Sequence, residues 1–180
     1  MRVVGRGAPR RAGGLEAVEP LGASLAIDPQ QFFAIASEAL AEIGARGVFL
    51  VGREANVAGH ARPDVAVVPF APLSAVLAHA SAIVHHGGVG TTATALRAGV
   101  PALVIPRAFD QRHHGERITA LGAGRMLPWK KLDARRLAAE IARLTGEPSY
   151  RARATALGAD IAREDGIGTA VARLEALVAR

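Results

Sequence analysis

At 180 residues the chain is long enough for one ordinary domain with a real core, and half of it is apolar, which excludes a disordered chain. The net charge of +6 rests almost wholly on arginine, since Lys130 and Lys131 are the only lysines, and with aromatics at 4% and no basic run interleaved with them, nucleic acid is not an expected partner. There is no cysteine, which excludes disulfides and thiolate metal sites and fits a cytoplasmic protein.

Residues 1–14 carry arginine and glycine without a continuous apolar run, so they are expected to form a tail or linker rather than a signal peptide, leaving 15–180 as one domain. Residues 15–21 predict a weak first strand, disturbed by Glu16, Glu19 and Pro20. Asp28-Pro29 then offers an N-cap with proline at the first helical position. Phe32, Ile35, Ala36, Ala39, Leu40 and Ile43 share one face before Gly44 stops that helix. Residues 47–51 and 64–69 read as short strands buried on both faces, separated by a polar loop with Arg53, Glu54 and Asn56. A helix over 72–79, a strand over 82–85, a helix over 91–98, the turn Gly99-Val100-Pro101 and a strand over 102–105 follow.

The nearly uncharged run 65–84 has the length of a membrane span, but Pro69 and Pro72 break it and Ser74, His79 and Ser81 punctuate it, so no transmembrane segment is expected. The final third predicts a helix over 110–121 ended by Gly122 and Gly124, a short strand over 125–127, and a helix capped by Asp133. Pro148 opens another helix, and Gly166 and Gly168 precede a last one ending at Arg180. This repeated βα order predicts an α/β fold, a Rossmann-like doubly wound parallel sheet.

The most informative stretch is Val84-His85-His86-Gly87-Gly88-Val89-Gly90-Thr91-Thr92: an apolar strand, a histidine pair, a glycine-rich turn and a hydroxyl-bearing helix start. Backbone N–H groups exposed by glycine, together with the unpaired donors of a helix N-terminus, attract the oxygens of a diphosphate. No lysine follows the glycines, so the loop is not a Walker A loop. Ligands of open α/β sheets sit beyond the carboxyl ends of the strands. Phe70, the glycine loop and Asp110-Gln111 all follow predicted strands and belong on that rim, where an apolar surface, a phosphate cradle and a carboxylate–amide pair match base, diphosphate and sugar. A metal site drawn from His85, His86, His113 and His114 is not expected, because adjacent histidines rarely turn both rings to one ion.

From residue 21 or so to the C-terminus, the chain resembles the C-terminal, donor-binding half of GT-B glycosyltransferases of the family 1 type, the UDP-glycosyltransferase and rhamnosyltransferase-like enzymes. The resemblance rests on Phe70-Ala71-Pro72 with Leu77, the motif VHHGGVGTT, Gly99-Val100-Pro101, Pro106, Asp110-Gln111 and Leu121-Gly122. It implies that His85 and the backbone of Gly87, Gly88, Gly90 and Thr91 hold the diphosphate of a nucleotide sugar. His85 would stabilise the leaving group, and His86 would be a neighbour. It further implies that Phe70 supports the base, that the Ala71 backbone bonds the base edge, and that Asp110 and Gln111 read the sugar, Asp110 capping its helix as the alternative. The donor would be a UDP- or dTDP-hexose used as substrate, with no cofactor and no metal. Transfer to an acceptor hydroxyl would proceed with inversion, and the acceptor site and base would lie on an N-terminal domain or subunit.

The sequence departs from the family at several points. Ala93 stands where plant members carry a ribose-binding glutamate, Leu73 where they carry glutamine, and His114 where an asparagine is usual; the expected Gly-Ser reads Gly22-Ala23-Ser24. Two other readings remain open at this point: a non-catalytic nucleotide-sugar-binding module or truncated remnant, and a nucleotide-sugar epimerase relative.

Overall fold

The computed structural model describes residues 15–18, 29–52 and 62–178. Six strands lie in one sheet: β1 (Leu15–Val18), β2 (Arg46–Leu50), β3 (Val65–Val68), β4 (Ala80–His85), β5 (Ala102–Val104) and β6 (Gly124–Met126). Their order is β3-β2-β1-β4-β5-β6, and every neighbouring pair is parallel. The helices are α1 (Pro29–Ile43), α2 (Leu73–Leu77), α3 (Val89–Arg97), α4 (Gln111–Ala120), α5 (Ala134–Gly146), α6 (Pro148–Ala162) and α7 (Gly166–Val178).

The doubly wound sheet follows from side-chain alternation on strands covered from both sides. Ala82, Val84, Leu103 and Ile105 join Phe32, Phe33, Leu40, Leu137 and Ile141 in a core under α1 and α5. Ile83, Ala102 and Val104 meet Leu77, Ala95 and Ile118 on the side of α2, α3 and α4. Each large side chain so buried stabilises the fold by about 1.5–3 kcal/mol relative to exposure. Helix α1 carries the expected face, with Phe33 added to it and fully buried, while Ile35 and Ile43 pack at its edge. Gly44 ends the helix at φ +64°, a left-handed value that glycine adopts without strain.

Asp133 caps α5 as expected, its carboxylate accepting from Arg136 N at 2.8 Å. Pro148 opens α6. Several boundaries differ from the sequence expectation, β4 starting at Ala80 and β6 at Gly124 among them. Helix α3 begins at Val89 rather than at Thr91, a 3-10 turn fills Trp129–Lys131, and Gly166 and Gly168 lie within the first turn of α7, where Asp165 accepts from Gly168 N at 2.8 Å. The run 65–84 resolves into β3, α2 and β4, and among the described residues no helix is long and apolar enough to cross a membrane. The tail 1–14, the Asp28 cap, Gly22-Ala23-Ser24 and the loop with Arg53, Glu54 and Asn56 lie outside the described residues.

Candidate functional site

In the order β3-β2-β1-β4-β5-β6 the chain moves outward in opposite directions from β1 and β4, so the crevice of an open sheet lies beyond the carboxyl ends of that pair. The glycine loop leaves the carboxyl end of β4, and Phe70 and Asp110 follow β3 and β5 on the same rim. All three stations inferred from sequence therefore share one edge of the sheet.

At the loop, Gly88 is the N-cap of α3, and no side chain caps the helix. Thr92 N is the first amide to bond back, to Gly88 O at 3.0 Å, so the amides of Gly88, Val89, Gly90 and Thr91 remain as donors for an anion. Around Gly90 a Cβ would meet nothing within 4 Å, which marks the open side of the loop. Gly87 faces the protein. At φ +95° its Cβ would lie 2.7 Å from Val104 Cγ1 and 2.9 Å from Gln111 O, so only glycine lets the loop rest on β5 and α4.

The two histidines, His85 expected at the diphosphate and His86 beside it, occupy different environments. His85 ends β4 with 0% exposure, on the α3 and α4 side where alternation also sends Ile83. Its Nδ1 accepts from Gly87 N at 3.1 Å, which leaves the proton on Nε2, and Nε2 has no partner. Burial, and then His86 and His114 nearby, lower its pKa to about 3, so the ring is neutral. With no exposed surface, His85 bonds the loop through Gly87 N and supports it from beneath. His86, the first residue past the strand, is half-buried with its ring lying across Gly88.

Asp110 sits at the N-terminus of α4 without a capping bond, and its side chain is 64% exposed, with Oδ2 3.8 Å from His114 Nε2. Capping, the alternative role, is absent. Gln111 is buried at 5%, and its Oε1 accepts from Arg107 N at 2.8 Å and Ala108 N at 3.2 Å. Its carbonyl therefore holds the loop between β5 and α4, leaving only its NH2 for a ligand. The Arg107 guanidinium lies 3.9 Å from the Trp129 ring centroid and braces the same loop. Sequence reasoning passed over Phe109, which is 79% exposed and left-handed at φ 55° immediately before Asp110. Phe70 is 71% exposed and Ala71 half-buried, so the surface just after β3 is an open one. The His85 and His86 ring centroids lie 6.5 Å apart and those of His113 and His114 6.2 Å, and among the described residues no three His, Cys, Asp or Glu side chains are placed to hold a metal ion.

Residues 37–177 match the family model of the erythromycin biosynthesis protein CIII-like C-terminal domain. The chain is 33% identical over 156 residues to O-mycaminosyltylonolide 6-deoxyallosyltransferase of Streptomyces fradiae, which covers 86% of this chain and 36% of that protein. CalG4, the calicheamicin glycosyltransferase, superposes at a TM-score of 0.82 with 27% identity over 98% of this chain and 46% of its own. The glycosyltransferase VinC, in complex with dTDP, does so at 0.70 with 32% identity over 84% and 38%. The chain thus spans less than half the length of these relatives. It belongs to the erythromycin biosynthesis protein CIII-like C-terminal domain family and has the fold of the C-terminal half of a GT-B glycosyltransferase.

Proposed function

We propose that the chain is the donor-binding half of an inverting, metal-independent glycosyltransferase, completed by an N-terminal acceptor domain or subunit. It takes a UDP- or dTDP-hexose and passes the hexose to an acceptor hydroxyl. The uncapped N-terminus of α3 at the switch point of the sheet carries this reading, because an anion is the ligand that this feature suits best. The dTDP complex of VinC supports thymidine diphosphate as the nucleotide part of the donor.

In this reading the acceptor oxygen attacks the anomeric carbon, the bond from that carbon to the diphosphate oxygen breaks, and the acceptor proton passes to a base on the N-terminal half. The charge arriving on the diphosphate is held by the amides of Gly88, Gly90 and Thr91 and by the dipole of α3. His86 takes the place expected for His85 beside the diphosphate, with Gly87 and His85 shaping the loop below it. Asp110 accepts from sugar hydroxyls, Gln111 donates through its NH2, and Phe70 and the Ala71 backbone receive the base.

Calorimetric titration separates these roles. UDP or dTDP binds the wild type, His86→Ala weakens both the nucleotide and the nucleotide sugar, and Asp110→Ala weakens the nucleotide sugar alone. Absence of binding by either nucleotide defeats the assignment. Sugar transfer after addition of a matching N-terminal half tests the catalytic part, and no transfer in the presence of donor binding restricts the chain to a binding module.

A further inference from the structure

We infer that His114 is a positioning residue that latches the peptide plane between Gly87 and Gly88, keeping the Gly88 N–H turned to the open side of the anion cradle; its role in ligand binding rests on the donor-site reading above. His114 lies on α4, with its Nδ1 2.7 Å from Gly87 O. A carbonyl only accepts, so Nδ1 carries the proton and donates. A trans peptide is planar, with its C=O and N–H pointing in opposite directions. Holding Gly87 O toward α4 therefore turns Gly88 N–H away from α4, to the side where Gly90 is open.

The plane needs a latch because glycine stands on both sides of it. Rotation of a peptide unit changes ψ of the residue before it and φ of the residue after it, and at a Gly-Gly step no Cβ opposes the turn. A rotated plane would place a carbonyl oxygen in the cradle and repel the diphosphate. The amide that joins Gly87 to the preceding residue has its own anchor in His85 Nδ1, so without His114 the next plane is the free one. The other edge of the His114 ring, Nε2, lies 3.8 Å from Asp110 Oδ2, so the same side chain also spaces the loop from the carboxylate assigned to the sugar.

The test uses the 15N-labelled chain first without ligand and then with UDP. Wild type and His114→Asn, whose amide also donates, show one sharp Gly88 amide signal, whereas His114→Ala shows it broadened or doubled. His114→Phe keeps the ring bulk without the donor and shares that expectation, which covers a poorly folded alanine variant. UDP affinity falls about tenfold in the variants without a donor, as for one lost hydrogen bond, and returns to within about twofold in His114→Asn. A single, unshifted Gly88 amide in both donorless variants, or unchanged UDP affinity in them, overturns the latch. If the Gly88 amide doubles but the wild type binds neither UDP nor dTDP, the latch stands and the donor-site reading falls.

Discussion

Acid should destabilise this protein through His85 in a way that one substitution removes. The unfolded imidazole titrates near 6.5, while burial holds the folded one near 3. Between those values the unfolded chain binds the extra proton, so stability rises with pH. The contribution is fully present above pH 6.5 and is lost as pH falls through the window toward 3. Taking pH 8 as reference and stopping at pH 5, where folded His85 is still neutral, the loss spans the 1.5 units below 6.5 and amounts to about 2 kcal/mol. For a domain of this size that corresponds to about 4–8 °C in Tm. His85→Asn is the control, because its Oδ1 still accepts from Gly87 N while nothing titrates. The measurement is chemical denaturation at pH 8, 6.5 and 5 for both proteins. The variant starts less stable, having lost a buried ring, and the gap should close by about 2 kcal/mol at pH 5. A gap that stays constant with pH would refute a neutral, buried His85 and restore an exposed, titrating one.

Three further outcomes follow from the packing. Gly87→Ala should destabilise the fold by about 2–4 kcal/mol, since its Cβ meets Val104 and the Gln111 backbone at a positive φ, whereas Gly90→Ala in open space should be neutral or stabilising by about 0.5–1 kcal/mol; denaturant midpoints decide. Gln111→Leu strips the acceptor from two loop amides and should cost about 2–3 kcal/mol, with faster hydrogen exchange at Arg107 and Ala108 as the specific readout. Arg151 donates to Gly99 O, Ala80 O and Ser81 O and so ties α6 to the start of β4; Arg151→Met should lower stability by about 2–4 kcal/mol, and a loss below 0.5 kcal/mol would show that the clamp contributes nothing.

The order of elements was legible because each was bounded by a local physical signal: the periodic face from Phe32 to Ile43 with Gly44 behind it, the Asp133 cap, Pro148, and continuous apolar runs for strands covered on both sides. The rim was legible for the same reason, since parallel strands place Phe70, the glycine loop and Asp110 at one edge regardless of detail. Side-chain roles were not. His85 and His86 look alike in the sequence, yet one is the last residue of a central strand and the other the first beyond it. The signal that separates them is strand position: His85 is the last paired residue of a central strand, and His86 lies one residue beyond it. Gln111 looks free as a sugar ligand until the fold brings the Arg107 and Ala108 amides to its carbonyl. The exposed apolar side of α7, with Ile167, Leu174 and Leu177, gave no warning, because an apolar stripe at helical spacing reads as core.

Departures from good local structure concentrate where the site is placed. The buried side-chain atoms lacking a partner among the described residues are His85 Nε2, His86 Nδ1 and Thr92 Oγ1, all within residues 85–92. Among the described residues, the positive φ at a non-glycine residue belongs to Phe109, one position before Asp110. A left-handed phenylalanine costs about 1–3 kcal/mol. Such costs persist only where the surroundings enforce them, and here α4 does so: Gln111 pins the loop that carries Phe109, and His114 and the Gln111 backbone hold Gly87. One helix end thus bonds both loops, at the ends of β4 and of β5. Loosening α4, for example by a proline within its second turn, should release both loops together and remove the crevice while the α1 and α5 face of the sheet stays packed.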